Sequence, residues 1–338
     1  MSIIYIGGFP PPFGGVTKKN QNLYIALLEH LKIEKIDLNE IKRKNLVETV
    51  KLIRVLLNRR NCFVVGVASK KSGKKFCKLL YFVNRKAMRK SINFLMGGTA
   101  ANDIVNDREY QKYISQFKRV YAETHGMVEA LKKAGLENAA YYPNCRFRPE
   151  NVLPELRNDN HTLRAVFFSL ISPEKGIDIV IAAATLLQNT EFHIYGEIKD
   201  GFETEFLASI ASLPNINYHG VFKGKDEQVY HELSKYDVLL LPSRWKYEGV
   251  PGILVESKIA GIPAVVSNIA YNAEIVNDGV DGIVLKENTA EALSKALLYL
   301  DENRSVLSKL KIGAKSSAEH YYIDNYIGEI VGEFTKSL

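Results

Sequence analysis

The stretch Asp-Val-Leu-Leu-Leu-Pro-Ser-Arg-Trp-Lys-Tyr-Glu-Gly-Val-Pro-Gly-Ile-Leu-Val-Glu-Ser-Lys-Ile-Ala-Gly-Ile-Pro-Ala-Val-Val-Ser, residues 237–267, decides how the chain folds. Its two short apolar runs, 238–241 and 264–266, are rich in Leu and Val and bounded by turn residues, as buried parallel strands require. Between them a loop punctuated by Pro242, Gly249 and Pro251 leads into a helix expected to open near Gly252. Strand, loop and helix in that order put the loop at the carboxyl edge of an open sheet, where such folds bind ligands. Glu248 falls in the loop and Glu256 about one turn into the helix. Between them the N–H groups of the first turn, at Gly252, Ile253 and Leu254, lack intrahelical acceptors and form an anion site. An anion site with a carboxylate on either side suits a negatively charged, hydroxyl-rich ligand. A nucleotide-sugar fits that description.

Pro242-Ser243, Glu248-Gly249, Glu256, Ala260-Gly261 and Pro263-Ala264-Val265 together resemble the Glu-x7-Glu signature of the GT-B glycosyltransferases, within them the retaining family 4. Two glutamates eight apart also arise on a solvated helix face; the Pro, Gly and Ser around them carry the resemblance. It implies an α/β fold of two Rossmann-like domains facing across a cleft. It also implies that Glu256 binds the ribose hydroxyls. Glu248 would hold the hydroxyls of the donor sugar and stabilise an oxocarbenium-like transition state, with Gly249, Val250 and Pro251 in the donor loop.

Upstream, 163–168 reads as a strand followed by Ser169-Leu170-Ile171-Ser172-Pro173-Glu174-Lys175-Gly176. This resembles the family's loop in which an Arg and a Lys clamp the donor diphosphate. Lys175 and Gly176 match, whereas the arginine position holds Ser169 or Leu170. Half the cationic clamp is thus replaced, and Lys18 or Lys19 is the candidate to make it good. Strands at 191–195 and 216–221 end at Gly196 and Val221, which by resemblance border the nucleobase. The run 274–285 resembles the family's Glu-Ile-Val-x-Asp-Gly-x-Asn-Gly segment, and 304–338 reads as helical.

In the first half, 3–6 is a strand running into a Gly/Pro-rich loop. Thr17 is the expected cap of a helix carrying Leu23, Leu27, Leu28 and Leu31. Gly14 and Gly15 let a backbone approach a phosphate, and by resemblance they border donor diphosphate and acceptor, with Lys18 beside them. No Gly-x-Gly-x-x-Gly occurs, so this is not the dinucleotide fingerprint. A second Gly-Gly loop, Gly97-Gly98-Thr99, follows the strand at 92–96 and stands where many relatives carry a histidine that touches the sugar. His125 opens a helix, where a capping or surface role is expected. The run from Ala122 to Pro143-Asn144 resembles the end of the family's N-terminal domain.

The chain has 338 residues, 46% of them hydrophobic and 25% charged, which suits a two-domain globular enzyme. The expected division is 1–146, a polar linker at 147–162 and a donor domain at 163–319, with a helix at about 320–338 returning to the first domain. Three irregularly spaced cysteines make neither a disulfide framework nor a zinc motif and suggest a reducing, cytoplasmic setting. The net charge is +7, yet 42–90 holds sixteen Lys or Arg against the single acid Glu48. Helices expected at 41–60 (Leu46, Val50, Ile53 and Leu57 on one face) and 70–90 (Phe76, Leu79, Leu80 and Val83 inside) carry that charge. It is either a solvated face or a surface for an anionic bilayer or a pyrophosphate-linked acceptor; no nucleic-acid-binding pattern accompanies it.

The expected activity is a retaining hexosyl transfer from a nucleotide-sugar, UDP-sugar favoured over GDP-sugar. The acceptor is a glycan, undecaprenyl-diphosphate-linked in the surface-polysaccharide branch. No metal and no resident cofactor are expected, since Lys175 and the Gly252 helix end can stabilise the leaving diphosphate. A sugar-nucleotide epimerase or hydrolase, and a non-catalytic binding module, are the alternatives.

Overall fold

The computed structural model describes residues 2–12, 14–67, 70–151, 162–224, 226–247 and 249–335. The Glu248 position and most of the linker expected at 147–162 lie outside them. The chain divides into two compact units. The first comprises Met1–Arg148, Tyr247–Val250 and Tyr321–Leu338; the second comprises Pro149–Lys246 and Pro251–His320.

In the first unit six strands form one parallel sheet: β1 (Ile3–Gly7), β2 (Ile33–Asp37), β3 (Cys62–Gly66), β4 (Ile92–Phe94), β5 (Arg119–Ala122) and β6 (Ala139–Tyr141). Their order is β2-β1-β3-β4-β5-β6. In the second unit β7 (Arg164–Phe168), β8 (Glu191–Tyr195), β9 (Ile216–Tyr218), β10 (Val238–Leu241), β11 (Ala264–Ser267) and β12 (Gly282–Leu285) lie in the order β12-β11-β10-β7-β8-β9, again all parallel. These are the two common doubly wound orders, and each reverses direction once. The switch point falls between β1 and β3 in the first unit and between β7 and β10 in the second. Central strands such as β3, β10 and β11 are buried at every residue, which explains their unbroken apolar runs.

The chain end belongs to the first unit. Ile327, Ile330 and Phe334 of the helix Asp324–Thr335 pack in one cluster with Tyr5, Leu23, Leu27 and Cys62. Glu333 pairs with Lys118 and Arg119.

Several local expectations need correction. The basic segment at 41–60 is not one helix: Lys44, at φ +65°, separates Leu38–Lys42 from Leu46–Leu57. The apolar face of the second piece points outward. Leu46, Val50, Ile53 and Leu57 are all more than half exposed, and Leu56 is the residue buried. In the helix Lys70–Met88, Phe76 and Leu80 are buried as expected, but Leu79 and Val83 are exposed. Thr17 does not cap its helix, which starts at Gly15; its hydroxyl turns back to Pro12 O and Gly14 O at 2.8 and 3.0 Å. His125 is exposed, the surface role expected of it, and does not cap. Thr124 does, accepting from Met127 N at 3.1 Å, while His125 stacks on Tyr141 at 4.0 Å.

Candidate functional site

In the second unit, loops leaving adjacent strands gather at the carboxyl edge of the sheet and hold one another through backbone. The turn Pro173–Lys175 ends at Gly176, which sits at φ +79°. A Cβ there would lie 2.1 Å from Pro242 O in the loop after β10. Only glycine satisfies both demands. Gly196, at φ +150°, is held the same way, because a Cβ would meet Ser169 O of the loop after β7 at 1.8 Å. The amide of Gly196 in turn donates to Gly220 O at 2.9 Å, after β9. Lys175, Gly196, Val221 and the 251–254 segment therefore follow four strands that are neighbours in the sheet, β7, β8, β9 and β10. The structure brings these sequence-predicted residues to one edge, with Lys175 and the 251–254 segment at the switch point.

The helix from that loop runs Gly252–Ala260, with Pro251 as its N-cap residue and no side chain capping it. Its first-turn amides at Gly252 and Ile253 stand at the helix end, the Leu254 amide, expected to be free, instead donates to Pro251 O at 3.1 Å, and Glu256, half-buried, lies one turn on. Behind it the helix is fixed by a buried ion pair, Lys258 to Asp281 at 2.6 Å, and by Gly261 at φ +74° as its stop. Burial pulls the Lys258 pKa down, opposed by Asp281.

Sequence reading missed the side chains that brace the Lys175 turn. Arg244 donates its amide to Glu174 O at 2.7 Å and a guanidinium N–H to Pro173 O at 2.9 Å. It also grips Asp178 through both oxygens at 2.7 and 2.8 Å. Lys199 pairs with Glu174 at 2.5 Å and, as the first of several hydrogen bonds, holds that carboxyl down to about 2. Asn288 donates to Pro242 O and Ser267 to Ser243 O, at 3.1 and 2.6 Å, which fixes the start of the loop after β10. Arg244, a residue that no local motif marks, is thus committed to bracing the turn through Pro173 and Asp178.

The remaining predicted residues lie in the first unit. Gly14 and Gly15 are exposed, neither has a positive φ, and a Cβ on either would meet no atom within 4 Å. Lys18 is half-buried on the first turn of the helix Gly15–Leu28. Lys19, the other candidate cation, pairs instead with the buried carboxylate of Glu123. Gly97, at φ +109°, Gly98 and Thr99 form the loop after β4, where the Thr99 hydroxyl donates to Asp103 Oδ2 at 2.9 Å. Gly249 and Val250 pack against Gly98 and Glu123, with a Cβ on Gly249 coming 3.2 Å from Gly98 N. Among the described residues no group of three or more His, Cys, Asp or Glu converges on a metal position.

Known proteins agree with this architecture. Residues 151–317 match the family model described as "Glycosyl transferases group 1". The amylovoran biosynthesis glycosyltransferase AmsK of Erwinia amylovora is 26% identical over 182 residues, 51% of this chain and 44% of that protein. The UDP-Gal:alpha-D-GlcNAc-diphosphoundecaprenol alpha-1,3-galactosyltransferase of Escherichia coli is 33% identical over 79 residues, 23% of this chain and 20% of that protein. The chain thus spans less than half the length of these curated relatives. Among solved structures, Anabaena Alr3699/HepE in complex with UDP superposes with a TM-score of 0.72 at 16% identity, covering 100% of both chains. The second half of the chain is thus similar to the glycosyl transferases group 1 family, and the two parallel sheets have the α/β fold of the GT-B glycosyltransferases.

Proposed function

We propose that the protein is a retaining hexosyltransferase of family 4. It moves a sugar from a nucleotide-sugar, UDP-sugar before GDP-sugar, to a hydroxyl of an undecaprenyl-diphosphate-linked glycan during assembly of a bacterial surface polysaccharide (O-antigen, capsule or lipooligosaccharide). One observation carries the reading: the uncapped Gly252 helix end and the Lys175 turn stand on interlocked loops at the second unit's switch point. There the helix end and Lys175 stabilise the charge that grows on the departing diphosphate, so no metal is required. Glu256 accepts from the ribose hydroxyls, and Glu248 holds the transferred sugar as its anomeric carbon gains positive charge. Departing phosphate takes the acceptor proton on the same face, which retains configuration. Gly14 and Gly15 add support. Among the described residues no atom lies within 4 Å of a Cβ at either position, which leaves the loop open to a ligand. UDP in the HepE complex and the lipid-linked acceptor of the E. coli relative support the donor and acceptor classes.

Attachment to the inner face of the cytoplasmic membrane is part of the proposal. Leu46, Val47, Val50, Ile53, Leu57 and Phe82 are each at least 54% exposed among the cations of 42–90, a composition suited to an anionic interface. Lys74 is withdrawn from that surface by Asp107 and Glu109. No helix among the described residues is long and apolar enough to cross a membrane.

A screen of nucleotide-sugars for transfer to a lipid-linked glycan, run with and without EDTA, tests this. Turnover should survive chelation, and Glu256→Ala should weaken nucleoside diphosphate binding about tenfold or more, as loss of a charge-assisted hydrogen bond implies. Anionic vesicles should retain the protein at low salt and release it as salt rises. Isomerised nucleotide or free sugar without transfer would convert the reading to the epimerase or hydrolase of the same fold. Loss of activity in EDTA restored by magnesium would remove the metal-free diphosphate site.

A further inference from the structure

Two acids and one base, Glu174, Asp178 and Lys175, stand within five residues where the turn Pro173–Lys175 runs into the helix Ile177–Leu186. Taken alone they carry a net charge of −1, the wrong sign for a turn that receives an anion. The fold brings a cation from a different loop to each acid. Lys199, after β8, pairs with Glu174. The Lys199 amide donates to Ile171 O at 3.0 Å, which starts its side chain beside the turn. Arg244, after β10, meets both oxygens of Asp178 at 2.7 and 2.8 Å. Its amide and a guanidinium N–H also hold Glu174 O and Pro173 O. With these two cations counted, the net charge at the turn becomes +1.

The four paired side chains are between 41% and 48% exposed. Ion pairs that wet contribute little to stability, so the fold's own need for them does not explain two on one turn. The position of the acids does. Glu174 precedes Lys175 directly, and Asp178 lies in the first turn of a helix that no side chain caps. An uncovered carboxylate there would itself answer the positive end of the helix and repel an arriving anion. A guanidinium that meets both carboxylate oxygens covers that charge with a fixed geometry, which an ammonium does not.

We propose that Arg244 and Lys199 are positioning residues that take up the carboxylates of Asp178 and Glu174 and so reverse the sign of the charge that the Lys175 turn presents to a diphosphate. All five side chains belong to the second unit. The consequence rests on the glycosyltransferase reading, whereas the two pairings do not.

Calorimetry with UDP and GDP, set against uridine and guanosine, tests the consequence. Arg244→Ala should weaken diphosphate binding about tenfold at low ionic strength, and less as salt rises, because it uncovers a unit charge. Nucleoside affinity should stay within about twofold. Asp178→Asn removes the charge that Arg244 covers, so Arg244→Ala in that background should bind diphosphate within about threefold of Asp178→Asn alone. A guanidinium that touched phosphate, or only stiffened the turn, would lose the same factor in both backgrounds, and that result overturns the proposal. Lys199→Ala, with and without Glu174→Gln, repeats the cycle on the other acid and carries the test if Arg244→Ala does not fold. Thermal midpoints within about 2 °C of wild type are expected for pairs this exposed. Side-chain NMR reads the pairing without a ligand. Hydrogen bonds, that from Lys199 foremost, hold the Glu174 carboxyl at about 2, and it should rise in Lys199→Ala. A Glu174 that titrates at its ordinary 4.5 in the wild type overturns the proposal. One that titrates at about 2 in a wild type that binds neither diphosphate leaves the pairing standing and removes the functional reading instead.

Discussion

In the first unit the two strands at the switch point, β1 and β3, are tied by one side chain. Asn20 accepts from Tyr5 OH at 2.9 Å and donates to Gly8 O at 2.9 Å and to Gly66 O at 3.0 Å. In the second unit, where β7 meets β10, the Arg244 side chain reaches Pro173 O and Asp178, and main chain supplies a second kind of tie. The loops touch backbone to backbone at Gly176 and Pro242, and again at Gly196 and Ser169. The two solutions differ in what they tolerate. A side-chain tie can be cut, leaving polar groups that water or small shifts partly satisfy. A backbone contact cannot be relieved without moving main chain, and here that main chain carries the Lys175 turn.

The comparison is sharpest at Gly196. Gly196→Ala adds strain at a positive φ, about 1–3 kcal/mol, and an overlap with Ser169 O that costs about another 1–3 kcal/mol in displaced backbone. Unfolding in urea should register a loss of about 3–5 kcal/mol, with Gly14→Ala, in open space, within about 0.5 kcal/mol of wild type. Equal effects at the two glycines would break the distinction between a glycine the fold needs and one kept for a ligand.

Asn20→Ala should come next. It orphans Tyr5 OH and two backbone carbonyls in a site 0% exposed. Each lost partner costs about 1–3 kcal/mol before relaxation, and the space vacated by the side chain allows a water to recover part of it. A net loss of about 2–3 kcal/mol by the same urea measurement is expected. A loss larger than that of Gly196→Ala would reverse the ranking of side-chain and backbone ties.

What could be read in advance follows from the same distinction. Residues 237–267 announce their strands, loop and helix because apolar runs, Pro and Gly act locally, and β10, the helix Gly252–Ala260 and β11 fall within a residue of expectation. Ties between distant residues leave no such mark: Asn20 to Gly66, Glu123 to Val250 and Arg244 to Asp178 are separated by 46, 127 and 66 positions. Strand β2 escaped notice because its edge position buries Ile33 and Ile36 but exposes Glu34 and Lys35, which breaks the alternation of a half-buried strand. The short polar helix Glu203–Ile210 buries only Phe206, too little to show a period. Periodicity in 46–57 did reveal an apolar face, but period alone cannot say whether protein or something else covers it.

The smallest effect expected concerns a titrating pair confined to the second unit. His193 Nδ1 and His219 Nε2 stand 3.0 Å apart with their rings stacked, and Tyr195 stacks over His219 at 4.5 Å. Burial lowers the pKa of both imidazoles below the ordinary 6.5; for His193 a hydrogen bond donated to Glu191 opposes the shift and Arg164 adds to it. Around His219, Glu232 opposes the shift while Arg164 and Lys235 reinforce it. A depressed histidine favours the neutral form in the folded state, so the unfolded chain binds more protons between the folded pKa and 6.5. The contribution of the pair is therefore complete above about 6.5 and is lost as pH falls below it. Carboxylates add their own acid sensitivity only near and below 4.5, their ordinary value, which leaves pH 6.5 to 5 as the histidine window. The thermal midpoint should fall on acidification through that window, and less steeply in His219→Gln, where one titrating ring is gone. The Asn20 variant, in the other unit, leaves the pair in place and should keep the wild-type slope from a lower midpoint. A wild-type midpoint that stays flat from pH 7 to 5 would mean that the two rings charge as freely in the folded unit as in water, and that burial of this aromatic stack has been overestimated.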